Sequence, residues 1–308
     1  MGFGVMFHHF HSQSHLERPG SISSGELDQV LSHLEGEFSI LHPEDFLGRM
    51  LDATLKKTDI VLSFDDSLLS QFDVALPVLD AHSIKGLFNV YSSVFTGEPD
   101  PLELFAIYRA SEFENFDDYW SRFLDVVEQL KPGIQRILEE SFPSGWLSNF
   151  PFYTVNERKF RFLRDRLISK KEYLSLMFEL ISQSTGFSSE EAIKNAWMQK
   201  EHLQLLLAQG HSVGLHSHTH PTQMADLPED EQRAEYVANK DWIESQLMVT
   251  PTWVAHPCGN YSEATLKILV DLGVRGGLRS SLTPGFYGSP LEVPREDHSN
   301  IMRELHGQ

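Results

Sequence analysis

The feature that most constrains this chain is a repeated alternation of short apolar runs with stretches of helical period. Strand-like runs fall at residues 4–10, 59–64, 85–91, 212–216, 252–256, 274–278 and 291–293. Apolar residues recur at helical spacing over 24–34, 43–55, 68–81, 198–209, 229–247 and 262–272. Strands separated by helices of this length form βαβ units, so the expected fold is α/β with a parallel sheet or barrel. The run Ile60-Val61-Leu62 suits a strand covered on both faces. Gly210 and Gly273 stand where helices should stop.

Residues 97–195 break this rhythm, with helical patterns and no convincing strand. Phe123, Leu124, Val126, Val127 and Leu130 form one apolar stripe; Tyr173, Leu174, Met177, Leu180 and Ile181 form another. Aromatic residues are dense here, including Trp120, Trp146, Phe150, Phe152 and Tyr153. The expected organisation is a barrel from 1–96 and 196–308, interrupted by a helical insertion at 97–195. The insertion reads as a lid or a homodimer surface, and helices that merely cover the barrel are an equal alternative.

Charge excludes some partners. Lys and Arg total 25 against 44 Asp and Glu, a net charge of −19. Nucleic acid and anionic membrane surfaces would be repelled. No apolar run approaches the length of a membrane span. The single Cys258 rules out an internal disulfide and suits a reducing compartment. The start of the chain lacks the basic segment and long apolar stretch of a signal peptide, so a cytoplasmic location is expected.

The chemistry gathers at the ends of expected strands, where α/β proteins place their sites. Asp65 and Asp66 follow Ser63-Phe64 at one such end. Two adjacent carboxylates are costly to bury unless a cation sits between them or one is protonated. Taken alone, such a pair is more often a turn or a helix cap. The second cluster, His216-Ser217-His218-Thr219-His220, follows the apolar strand Val213-Gly214-Leu215. Imidazoles are the commonest metal ligands, and spacing alone permits any two of the three to ligate. His8 and His9 lie at the end of the first strand, where either could face the same site.

These motifs resemble those of the polysaccharide deacetylases of carbohydrate esterase family four. Ser63-Phe64-Asp65-Asp66 looks like that family's first motif, usually Thr-Phe-Asp-Asp. His216-Ser217-His218-Thr219-His220 looks like the second, His-[Ser/Thr]-x-x-His. The resemblance covers roughly residues 3–95 and 197–297 and implies a distorted (β/α)7 barrel. It implies Asp65 as general base, and Asp66, His216 and His220 as ligands of a divalent metal, Zn²⁺ first, with Co²⁺, Ni²⁺ or Mn²⁺ as alternatives. His256-Pro257-Cys258-Gly259-Asn260-Tyr261 is similar to a variant third motif, which implies substrate contacts from Pro257, Cys258 and Gly259, with His8 beside them. Many members carry an Arg two residues before that Pro to orient the catalytic Asp; this chain has Ala255, and Arg295 is the expected substitute. The general acid has no clear motif: His298, His8 and His256 are the candidates, with His298 taken first.

The implied activity is metal-assisted hydrolysis of an acyl group, N-acetyl above all, from a small or conjugated sugar. Two other classes stay open: hydrolysis of another C–N bond, such as a cyclic imide or ureide, and a non-catalytic carbohydrate-binding relative.

Overall fold

The computed structural model describes residues 2–98, 100–147 and 153–307; Phe150 and Phe152 lie outside them. Two compact units are present, Met1–Asp100 with Lys194–Gln308, and Pro101–Ile193.

The first unit is built on strands β1 (Phe3–Phe7), β2 (Ser39–Ile40), β3 (Asp59–Phe64), β4 (Leu87–Val90), β5 (Ser212–Leu215), β6 (Trp253–Ala255), β7 (Gly276–Leu278) and β8 (Arg295–Asp297). Every pairing is parallel. The strand order is β7-β6-β5-β4-β3-β1-β8, with β2 beside β3 off this path. The two ends of the path meet through the segment that precedes β8. Leu278 bridges Val293, Arg279 N donates to Val293 O at 2.9 Å, and Arg295 N donates to Ser281 O at 3.1 Å. Seven strands thus make a nearly closed parallel barrel with helices around it, the (β/α)7 architecture expected from the sequence.

All six residues of β3 are buried, as a parallel strand between two packed layers requires. Its side chains alternate. Ile60, Leu62 and Phe64 pack with Val5, Phe7, Phe88 and Val90 in the main core. Val61 instead joins Leu87, Trp253, Ala255, Leu278 and Val293 in a second cluster. The period of two carries Ser63 and Asp65 onto Val61's side of the strand, and that row leads into the site. Gly210 (φ 89°) and Gly273 (φ 85°) end their helices in left-handed conformation.

One expected strand is wrong. Residues 291–293 do not form it: Pro290–Glu292 is a single 3₁₀ turn, and the last strand is β8. Pro290 has no amide for a ladder, and Ser289 Oγ accepts from Leu291 N at 3.2 Å. Glu292, also in the turn, collects the amides of Phe286 (2.8 Å) and Ser289 (2.9 Å) and the Tyr261 hydroxyl (2.7 Å).

The second unit is helical, with Pro101–Glu112, Phe116–Leu130, Ile134–Ser141, Val155–Phe162 and Lys170–Ser182 as its main elements. It has its own core, in which Tyr119, Trp120, Phe123, Phe160, Tyr173, Met177 and Leu180 are buried. Trp120 and Trp146 therefore pack within the unit, Trp146 edge-on to Phe162 at 5.3 Å. Among the described residues no helix is long and apolar enough to cross a membrane.

Candidate active site

His8 follows β1, Asp65 and Asp66 follow β3, and His216 and His220 follow β5, all at carboxyl ends of parallel strands, whereas Arg295 opens β8. The ladder continues one step past β3 and β5, where Asp65 N donates to Phe7 O at 3.1 Å and His216 N to Val90 O at 3.0 Å. Beyond these bonds the chain turns sharply. Asp66 (φ 78°), Ser67 (φ 57°), Ser217 (φ 64°), His220 (φ 54°) and Cys258 (φ 52°) are all left-handed without being glycine. Such strain persists only where the surroundings over-determine it, and it concentrates at functional sites.

Asp66, His216 and His220 come together, each offering one ligand atom, all within 4.8 Å of one another. Asp66 Oδ1 lies 3.3 Å from His216 Nε2 and 3.5 Å from His220 Nε2. His216 Nδ1 sits 2.8 Å from the Ala255 carbonyl. A carbonyl only accepts, so Nδ1 carries the hydrogen and Nε2 presents its lone pair to Asp66. Asp66 Oδ1 and His220 Nδ1 are buried and make no hydrogen bond. Burial alone would raise the Asp66 carboxyl; His216 and His220, when protonated, lower it below the usual carboxylate range. One carboxylate and two imidazoles, with a buried oxygen lacking a hydrogen-bond donor, suit a divalent cation of the Zn²⁺ type. His218 turns away instead, its Nδ1 2.8 Å from Ser92 Oγ.

Asp65 is almost fully buried beside this group and is held on both oxygens. Arg295 pairs with it twice, Nη1 to Oδ1 at 3.0 Å and Nη2 to Oδ2 at 2.8 Å. Asn89 Nδ2 donates to Oδ1 at 2.7 Å. Burial would raise the Asp65 carboxyl, but the Arg295 guanidinium beside it dominates and brings it down to about 2. Arg295 also donates through Nη1 to Ser63 Oγ at 3.0 Å and through Nε to the Arg279 carbonyl. Room for its stem comes from Gly4, where an added Cβ would sit 2.8 Å from Arg295 Cγ. Nothing in the sequence singles out Asn89, a polar residue within the apolar run Leu87–Val90. Its only hint is that such a residue, if buried, needs a partner.

The histidine candidates separate by their hydrogen bonds. His298 is buried with Nε2 3.0 Å from Gly20 O and Nδ1 3.3 Å from Met6 O, and its ring stacks on Phe7. Both of its nitrogens face carbonyls. His256 is also buried, with Nε2 2.8 Å from Leu291 O and its ring stacked on Tyr261 at 4.2 Å. His8 differs: its Nε2 lies 3.8 Å from Asp65 Oδ2, and 31% of its side chain is open to solvent. Pro257, Cys258 and Gly259 form a tight turn after β6. Partial loss of solvent around the sulfur, with Asp66 and Asp100 nearby, raises the Cys258 thiol, which makes it a poor nucleophile. An added Cβ at Gly259 would collide with Ser280 Oγ, so that turn packs closely on the segment after β7.

A family model described as polysaccharide deacetylase matches residues 170–277. No curated protein matches the sequence. Among solved structures, IcaB from Ammonifex degensii is similar over 99% of this chain and 95% of its own, with a TM-score of 0.58 and 14% identity. The Streptococcus pyogenes deacetylase PplD, solved with acetate, is similar over 96% of this chain and 91% of its own, with a TM-score of 0.56 and 16% identity. The deacetylase domain of BpsB from Bordetella bronchiseptica covers 96% and 95%, with a TM-score of 0.54 and 13% identity. At such identities these likenesses speak for the fold. Residues 170–277 thus resemble the polysaccharide deacetylase family, and the barrel has the fold that these solved deacetylase structures share.

Proposed function

We propose that this protein is a metal-dependent deacetylase that removes an N-acetyl group from a sugar. Asp65 acts as general base, and Asp66, His216 and His220 hold the cation. The observation that carries this reading is the closeness of three ligand atoms, all within 4.8 Å, to a second carboxylate clamped by Arg295. When bound there, a divalent cation such as Zn²⁺ supplies Lewis acidity and lowers the pKa of water.

The remaining steps belong to the chain's own side chains. Asp65 stays ionised across the physiological range and is aimed by Arg295 and Asn89, so it can take a proton from an activated water. The 257–259 turn, lying beside Asp66, is the natural place for a backbone N–H to meet the developing oxyanion, with the Cys258 amide as donor. His8, the one candidate histidine seen beside Asp65 and open to solvent, donates a proton to the leaving amine. Arg295 acts as a positioning residue, and His298 and His256 serve the architecture of the strand ends.

The test is release of acetate from N-acetylhexosamine, nucleotide-linked N-acetyl sugars and chitin oligomers, before and after chelation and after metal return. Acetate from none of them, with metal present, would sink the reading. The same series tests substrate size. A small or conjugated sugar is expected to react at a rate independent of oligomer length, and a steady rise with length would mean an open groove of several subsites.

A further inference from the structure

The loop that carries His216 and His220 is gripped from behind by the helix Glu229–Leu247. Asn239, fully buried, accepts from His216 N through Oδ1 at 3.0 Å and donates to Val90 O through Nδ2 at 2.9 Å. One turn earlier stands Glu235. Its Oε2 accepts from His218 N at 2.9 Å and Thr219 N at 2.7 Å, and its Oε1 accepts from Thr219 Oγ1 at 2.7 Å. Two successive amides converging on one carboxylate make the kind of concavity that loops use to bind anions, and here the anion is the protein's own. The loop needs such a device. Ser217 and His220, the residues flanking these amides, are both left-handed, at φ 64° and 54°. Each lacks the freedom of glycine, so the turn costs energy that contacts elsewhere must offset. Short bonds from the loop to its other neighbours run from Ser93 N to His218 O (2.9 Å) and between His218 Nδ1 and Ser92 Oγ (2.8 Å).

We propose that Glu235 is a positioning residue. By clamping the His218 and Thr219 amides it holds the strained turn in which His216 and His220 face Asp66 together. Residues i and i+4 of one helix face, Glu235 and Asn239, then fix the middle and the start of the ligand loop. This inference rests on the metal-site reading above, and it concerns residues that touch neither substrate nor cation.

The test uses the full chain with Glu235→Ala and Glu235→Gln, beside Leu34→Ala as a destabilised control in the core. Amide hydrogen exchange of the metal-free proteins is measured first. Glu235→Ala is expected to speed exchange at His218 and Thr219 at least tenfold while β3 and β4 stay protected, and Glu235→Gln is expected to recover part of that protection. Unchanged exchange at those two amides would overturn the proposal. Co²⁺ is then titrated against a chelator. Glu235→Ala is expected to weaken binding by on the order of 10–100-fold and alter the Co²⁺ visible spectrum, with Leu34→Ala showing neither effect. An affinity and spectrum like the parent's would also overturn it, as would equal weakening in Leu34→Ala. If the parent protein binds no Co²⁺, the metal reading fails instead, and the exchange experiment still decides whether Glu235 holds the loop.

Discussion

Arg295 reaches across from β8 to clasp Asp65 at the end of β3, with two parallel bonds of 3.0 and 2.8 Å between side chains only 1–2% exposed. The pair joins the last strand to the candidate site. It also explains how the carboxylate stays charged where burial alone would favour the neutral acid. Removing Arg295 leaves Asp65 buried with the Asn89 bond but without its charged partner. Arg295→Ala is therefore expected to cost about 3–5 kcal/mol, read as a lower midpoint in urea unfolding. Arg295→Lys should recover little of this, since an ammonium cannot reproduce the bidentate fork. A midpoint within error of the parent for Arg295→Ala would contradict this account.

Gly4→Ala tests the same pair without touching it. The new methyl would lie 2.8 Å from Arg295 Cγ and 3.3 Å from Cδ, so the guanidinium must shift. Deacetylation should fall at least tenfold while metal content stays unchanged. Full activity in this variant would mean that the position of Arg295 does not matter to the reaction.

Asp65 and Asp66 are adjacent but have different tasks in this scheme. Asp65→Asn should keep its metal and lower kcat by on the order of 10²–10⁴-fold. Asp66→Asn should lose the metal, because Asp66 is the only carboxylate in the ligand group. Elemental analysis beside kinetics separates the two, and equal metal loss in both would reverse the assignment.

Much of this site could be read before folding, for a physical reason. Ligands need particular atoms, so Asp66, His216 and His220 stand out by residue type and by their place after apolar strands. Residues that only position others do not stand out. Asn89 and Glu235 are ordinary polar residues whose roles appear once β4 and the 229–247 helix pack behind the loops. The last strand escaped for a related reason. Arg295-Glu296-Asp297 has no apolar alternation, and its extended form is held by pairing with Gly4–Met6 and by the Asp65 ion pair. His298 shows the limit of reading position alone. It follows a strand end, yet its ring is turned to the carbonyls of Met6 and Gly20.

A pH effect on stability is expected from His211, which lies outside the site. Its buried ring accepts from Gly86 N through Nδ1 at 3.0 Å, a bond that needs the neutral form. Loss of solvent, helped by Lys85, lowers its pKa to about 4. In the unfolded chain the ring takes its proton near pH 6.5, so between there and pH 4 the unfolded state binds the extra proton. The stabilisation is thus complete above about pH 6.5 and is lost as pH falls toward 4. Its size, after allowance for partial solvent contact, is on the order of 2 kcal/mol. His211→Asn keeps an acceptor but cannot titrate, so its urea midpoint should fall less than the parent's between pH 7 and 5. Parallel curves would remove His211 from the account.

In the proposed reaction, access to substrate separates the three histidines as proton donors. A leaving amine must be protonated as the C–N bond breaks, so the donor needs a ring nitrogen near the base and open to an incoming substrate. His298 and His256 are buried, and carbonyls take both nitrogens of the first and Nε2 of the second. His8 stands at the end of β1 with Nε2 3.8 Å from Asp65 Oδ2, on a side chain 31% exposed. A substrate whose leaving group needs no proton should separate this role from a structural one. His8→Gln is expected to lower kcat on an N-acetyl sugar by on the order of 10²-fold or more. Hydrolysis of p-nitrophenyl acetate, whose phenolate leaves unaided, should fall less than threefold in the same variant. His298→Gln should lower stability and leave the ratio of the two rates as in the parent. Equal losses on both substrates in His8→Gln, or a changed ratio in His298→Gln, would move the acid elsewhere.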